Sequence, residues 1–249
     1  MNGNIWNADK YAQGASFVST LAFSLVDILD AKKDEKILDL GCGEGTLAKE
    51  IQNKGAKVIG VDLSENMVTK AKENGIDAFV MGVTNLQFKD ETFEKVFSNA
   101  VLHWVKDLNT SASEISRVLK KNGKFVAEFG GFGNINSLCQ TMQEVFLTHD
   151  DFGEFNNPWN FVSVEEYRNI LINNGFDIKS IELIPRPTKI NDIKEWLDIF
   201  ANGITINLSQ EKKIIFKNEV EKILRKKIYD QESGWIADYV RLRVEAYKL

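Results

Sequence analysis

Apolar residues in the first half of the chain alternate between short unbroken runs and longer stretches at helical spacing. From Gly14 to Asp30 the positions Phe17, Val18, Leu21, Leu25, Ile28 and Leu29 share a helical face, which predicts an amphipathic helix. Ile37-Leu38-Asp39-Leu40 reads as a strand, closed by Gly41-Cys42-Gly43-Glu44-Gly45 and followed by a helix from Thr46 to Asn53 that Gly55 stops. Lys57 to Asp62 is a second strand, leading into a helix that Ser64 caps. Further strands are expected at Ala78–Met81, Lys95–Ser98 and Lys124–Phe129, with a helix between Asp107 and Lys120. Strands separated by helices imply a parallel sheet covered on both faces, the doubly wound α/β arrangement.

The second half has a different rhythm. Helical patterns run from Ile135 to Leu147, Ser163 to Asn173, Asp192 to Ala201 and Ser209 to Ile228, and Ser163 with Glu166 and Asp192 with Glu195 have the spacing of capping boxes. Phe176 to Leu183 reads as a strand, and Trp235 to Tyr247 as a final strand with Ile236, Asp238, Val240, Leu242, Val244 and Ala246 on one face. The expectation is one domain over 1–249: a core at about 31–130, a helical cap at about 131–228, and a last strand at about 235–247 that completes a mostly parallel seven-stranded sheet.

Composition narrows the function. An apolar fraction of 43%, a charged fraction of 27% and three prolines describe an ordinary folded protein. No apolar run approaches the length of a membrane span and the start lacks a secretory pattern, so a cytoplasmic protein is expected. Cys42 and Cys139 lie far apart and the only histidines are His103 and His149, which argues against a metal site. A net charge of −5, with no arginine before Arg117, opposes nucleic-acid binding. The lysines from Lys212 to Lys227 are interspersed with glutamates and read as a solvated helix face.

The chemistry begins at the glycine loop. A loop between strand and helix brings a ligand close to backbone N–H groups only where side chains are missing, which gives Gly41, Gly43 and Gly45 a joint meaning. Asp62, at the end of the second strand, stands where a carboxylate accepts bonds from ribose hydroxyls. The loop lacks the G-x-G-x-x-G spacing that seats a dinucleotide pyrophosphate, which weakens a nicotinamide-dependent oxidoreductase as an alternative and favours a ligand without phosphates.

With those residues in place the sequence resembles the class I methyltransferase family, whose first motif appears as Ile37-Leu38-Asp39-Leu40-Gly41-Cys42-Gly43-Glu44-Gly45 and whose ribose acid matches Asp62. Phe97-Ser98-Asn99-Ala100-Val101-Leu102-His103-Trp104-Val105, Arg117–Gly123 and Asp238–Arg243 are similar to the trans-aconitate methyltransferase subgroup. The resemblance implies S-adenosylmethionine as cofactor, with Asp39, Gly41, Cys42 and Gly43 at its methionine end, Leu63 and Met67 at the adenine, and Asn99 and Ala100 beside the sulfonium. Leu63 and Met67 suit core packing equally well. Where the family often places an acid for the adenine amino group this chain has Met81-Gly82-Val83-Thr84-Asn85, so backbone groups of Gly82 and Val83, with Thr84 or Asn85, are expected there. Tyr11 and Trp6 resemble a lid over the cofactor.

On the acceptor side, transfer from a sulfonium discharges an existing positive charge, so positioning and exclusion of water supply much of the acceleration. His103 is the candidate catalytic base, with a purely pocket-shaping role as its alternative. Trp104 and Trp159 are expected to wall a substrate pocket, and Gly130–Asn134 to hinge the cap. Arg186, fixed between Pro185 and Pro187, is the preferred anchor for an anionic acceptor, ahead of Arg241, whose alternation with Val240 and Leu242 turns it toward solvent or a partner. The expected activity is methyl transfer to a small molecule, with the carboxylate of an organic acid as the favoured acceptor; the alternative is a non-catalytic binder of S-adenosylmethionine that regulates a partner.

Overall fold

The computed structural model describes residues 23–249. Seven strands form the main sheet: β1 (Lys36–Leu40), β2 (Lys57–Asp62), β3 (Asp77–Val80), β4 (Phe93–Asn99), β5 (Leu119–Gly130), β6 (Phe176–Pro185) and β10 (Val240–Lys248). Their order is β3-β2-β1-β4-β5-β10-β6, parallel as far as β5, with β10 antiparallel to both β5 and β6. The expected mostly parallel seven-stranded sheet is therefore present.

Helices α1 (Phe23–Leu29), α2 (Thr46–Asn53) and α3 (Glu65–Glu73) follow the sequence pattern, the first of them being the described part of the expected 14–30 helix. They pack on one face through Leu25, Leu29, Ala48, Ile51, Val68 and Ala71. On the other face α4 (Leu108–Val118) and α6 (Val164–Asn173) cover β4 and β5 with Ile115, Tyr167 and Leu171. Burial on both faces explains why the central strands are near-continuous apolar runs.

Helices α5 (Asn136–Leu147), α7 (Ile193–Phe200) and α8 (Gln210–Ile228) build a separate apolar cluster. Helix α8 contributes Phe216, Val220 and Leu224, spaced four apart, and turns its lysines outward. Several of these are matched with acids, Lys217 with Asp198 and Lys227 with Glu144 among them, in keeping with a solvated charged face. Ser163 and Glu166 form a reciprocal capping box at α6, whereas at α7 Asp192 accepts from the Glu195 N–H.

One expectation needs correction. The single strand read over 235–247 is two strands in two sheets: β9 (Gly234–Ala237) lies between β7 (Thr188–Ile190) and β8 (Tyr229–Asp230) in a small antiparallel sheet, while β10 joins the main one. The break falls at Asp238 and Tyr239, where alternation continues unbroken in sequence and so conceals it. The Asp238 carbonyl accepts the Ile135 N–H, and its carboxylate accepts the N–H of Ser137 in the first turn of α5. This link ties the cap to the sheet. Among the described residues no helix is long and apolar enough to cross a membrane.

Candidate active site

Strand order reverses between β1 and β4, and the crevice at their carboxyl ends is where open α/β sheets bind ligands. The glycine loop fills one side of it. Gly41, Gly43 and Gly45 all have left-handed backbone, with φ of 72°, 54° and 88°. A Cβ on Gly41 would lie 2.1 Å from Cγ2 of Val101, so the loop sits directly against the chain leaving β4. At Gly43 nothing stands within 4 Å of a Cβ, leaving room for a ligand over the backbone. Cys42 is packed over Gly60, and burial pushes its thiol up, out of reach of thiolate chemistry.

Asp62 braces this loop. Its carboxylate accepts the Gly43 N–H at 3.1 Å and the Ser64 N–H at 2.9 Å, while burial raises its pKa. Asp39, on β1, is 2% exposed, and its carboxylate accepts no hydrogen bond from the described residues. Burial first, and the charge of Asp62 second, push its carboxyl up to about 7. Leu63 is exposed and touches the space over Gly82, where a Cβ would be 3.5 Å from its Cδ2. Met67 and Val83 are buried and Thr84 is exposed. The loop from Met81 to Phe88 is held by a clamp absent from the sequence reading: Arg117 donates to the carbonyls of Leu86 and Phe88, each at 2.7 Å, and its partner Glu114 accepts the Leu86 N–H. Tyr11 and Trp6 lie outside the described residues.

From Asn99, the last residue of β4, the chain passes Ala100, with φ 60° and its N–H on the Glu128 carbonyl, into the turn Leu102–Trp104. Next to it is a pocket that is partly open to solvent. Ala100, His103, Asn134, Ile135 and Arg241 line it, with walls from Trp104, Trp159, Phe161, Trp196, Phe200 and Tyr239. Trp159 and Phe161 stack with an interplanar angle of 10°, and the strap they flank is fixed by Asn160, whose N–H donates to the His103 carbonyl. Ile135 also has left-handed backbone, at φ 46°, so two non-glycine residues that line the pocket hold this strained conformation.

His103 is buried, and its Nδ1 accepts the Gly130 N–H at 3.1 Å. That bond requires a lone pair on Nδ1, so the neutral ring carries its proton on Nε2. Burial, then the charge of Arg241, hold its pKa well below the ordinary imidazole value. The ring therefore presents a donor.

The arginines exchange the places expected of them. Arg186 is not in the pocket lining; its guanidinium grips both oxygens of Glu128, at 2.5 and 3.0 Å, and Arg243 reaches the same carboxylate at 2.6 Å. Arg241, expected to face solvent or a partner, is 8% exposed and lines the pocket, its guanidinium 4.7 Å from the Tyr239 ring centre. Alternation placed it on the correct face of β10, opposite Leu242, but not what covers that face: the cap does. Asn134, Phe161 and Tyr239 were not singled out, although Asn134 ends the glycine-rich loop that was. Among the described residues no three His, Cys, Asp or Glu groups are placed to hold a metal ion.

This sheet order, with a glycine cradle at the reversal and an acid ending β2, defines the Rossmann-like fold of class I methyltransferases. Residues 38–127 match the family described as a methyltransferase domain. The chain is 35% identical to the uncharacterized methyltransferase C70.08c of Schizosaccharomyces pombe, over the full length of both. It is 38% identical over 105 residues to trans-aconitate 2-methyltransferase of Mycolicibacterium gilvum, covering 41% of each chain. Among solved structures it resembles geranyl diphosphate C-methyltransferase of Streptomyces coelicolor A3(2), determined with Mg2+, geranyl diphosphate and S-adenosyl-L-homocysteine, with a TM-score of 0.56 and 20% identity over 93% of this chain and 79% of that one. The chain belongs to the class I S-adenosylmethionine-dependent methyltransferase family, and S-adenosylmethionine is its cofactor.

The residues present fit that group: a bare backbone at Gly43, an acid beside it, and in Asp39 a buried carboxylate that no described donor engages. Such a cation needs the ionised form of Asp39, so its binding releases a proton below about pH 7. Affinity for S-adenosylmethionine is expected to rise with pH to a plateau above 7, and to be about ten-fold weaker at pH 6 than on the plateau. In the ligand-free protein the same raised pKa makes stability fall as pH climbs from the unfolded value near 3.8 to about 7. Calorimetric titrations from pH 5.5 to 8.5 check the first point; a flat profile would remove Asp39 from the binding site, and Asp39→Asn should abolish the slope.

Proposed function

We propose that the enzyme transfers the methyl group to an oxygen of a small organic anion, a carboxylate, seated in the aromatic pocket. The observation that carries this reading is the polarity of the pocket: among its described lining residues there is no carboxylate, and His103, Asn134 and Arg241 offer donors. Bound in the adjoining cradle, S-adenosylmethionine supplies the methyl from a sulfonium, the C–S electron pair staying on sulfur as a neutral thioether. A carboxylate oxygen gives its own lone pair to the new C–O bond and becomes a neutral ester. No proton has to leave, because the acid arrives ionised at neutral pH.

His103 then acts as a hydrogen-bond donor that orients the acceptor, since its Nδ1 lone pair is already engaged. The aromatic walls exclude water and so strengthen each polar contact within. The matched lysines of α8 and the net charge of −5 favour a small molecule over nucleic acid.

Methyl-labelled S-adenosylmethionine, incubated with the protein and a library of small acids, tests the reaction type. Label released as methanol by mild alkali is the expected result, because methyl esters hydrolyse there. Label stable to alkali would place the methyl on nitrogen, carbon or an ether oxygen and refute the reading.

A further inference from the structure

Three buried donors meet at one glycine. Gly130, the last residue of β5, gives its N–H to His103 Nδ1, has Arg241 as its cross-strand partner, and lacks the Cβ that would stand 2.6 Å from the amide nitrogen of Asn134. Asn134 is 3% exposed, and its Oδ1 accepts the Val240 N–H at 2.9 Å. That bond fixes which end of the amide is which. The NH2 end is left toward the pocket, with no acceptor among the described residues. A ligand acceptor there would take the place of solvent on the amide.

Most of the rest of the described lining is aromatic: Trp104, Trp159, Phe161, Trp196, Phe200 and Tyr239. Trp104 and Trp159 stand with ring centres 5.7 Å apart, Trp159 and Trp196 at 6.3 Å, and Trp196 and Phe200 at 5.3 Å. Arg241 is the one cation in the described lining. An acid with several carboxylates would leave all but one against these rings, and an unpaired charge in such surroundings is strongly disfavoured.

Resting on the reading of this pocket as an acceptor site for anions, we infer that the acceptor is a monocarboxylate with a flat apolar body, and that the Asn134 amide is the specificity-determining donor for its carboxylate. The rings hold the body, and Arg241 and His103 share the charged end with Asn134. Asn134→Asp is the matched probe, because its carboxylate still accepts the Val240 N–H while the donor that faces the pocket becomes an acceptor.

The test uses the full chain saturated with S-adenosylhomocysteine, and the fluorescence of Trp104, Trp159 and Trp196 as the reporter. Cinnamate, its neutral amide cinnamamide, and the tricarboxylate tricarballylate are titrated separately. Cinnamate is expected to bind at least about ten-fold more tightly than either of the others, and Asn134→Asp to weaken it by about ten-fold or more while S-adenosylhomocysteine affinity changes less than about two-fold. Equal or tighter binding of tricarballylate, or an Asn134→Asp protein that holds cinnamate as before, overturns the inference and leaves the anion reading standing. Binding of cinnamamide in preference to both acids overturns the two together.

Discussion

Replacing Glu128 by alanine should destabilise the protein by about 3–5 kcal/mol, the loss typical when one member of a buried ion pair is removed and its partners stay charged. Glu128 is 2% exposed, and Arg186 and Arg243 both close on its carboxylate. Without it, two guanidinium groups face each other in a space closed by β5, β10 and the chain after β6. Urea unfolding with an unchanged slope measures the loss directly. A loss under about 1 kcal/mol, the range of exposed pairs, would show that the triad is solvated after all. A triple variant with apolar residues of similar size at all three positions should recover most of the stability, since a packed apolar core is often as stable as the ions it replaces. The same carboxylate engages the Arg186 guanidinium, which does not line the pocket.

The second large effect separates two glycines of one loop. Gly41→Ala places a methyl 2.1 Å from Val101 Cγ2 at a backbone φ of 72°, so both the loop and the chain after β4 must shift. Left-handed backbone alone costs an alanine roughly 1–2 kcal/mol, and displacement of binding groups by about 1 Å is enough for losses on the order of 100-fold in activity. Stability and cofactor affinity should fall together. Gly43→Ala meets no protein atom within 4 Å, so its fold should lose only the backbone strain, while the methyl occupies space over the loop that the cofactor needs. Thermal melting and calorimetric titration of the two variants distinguish a glycine required for packing from one required for the ligand. Should Gly43→Ala bind S-adenosylmethionine as well as the parent, the cradle is not the binding surface.

The cofactor half was legible in the sequence for a physical reason. The groups assigned to it are backbone N–H groups and two acids, set by local rules: a glycine loop after a strand, one carboxylate within that strand and another at the next strand end, and a helix capped by Ser64. Such features lie within one βαβ unit and need no knowledge of distant packing. The acceptor half depends on contacts across the chain. Asn134 meets Val240, Gly130 meets His103, and Glu128 meets Arg186 and Arg243, at separations of 27 to 115 residues. Proline-flanked Arg186 looked immobilised, and it is, but by Glu128. The charge of Glu128 inside the apolar run Phe125–Phe129 was the available sign of a buried partner, because an ion in a central strand demands one. The break at Asp238 escaped notice because a strand that changes sheets keeps its alternation while its neighbours change.

The most direct test is a crystal structure with S-adenosylhomocysteine bound. Its sugar hydroxyls are expected on Asp62, its amino group at Asp39, and its sulfur open to the aromatic pocket beside Ala100. A ligand lying elsewhere on the sheet, or one whose sulfur faces away from that pocket, would contradict the assignment of the cradle and the acceptor site to one reaction.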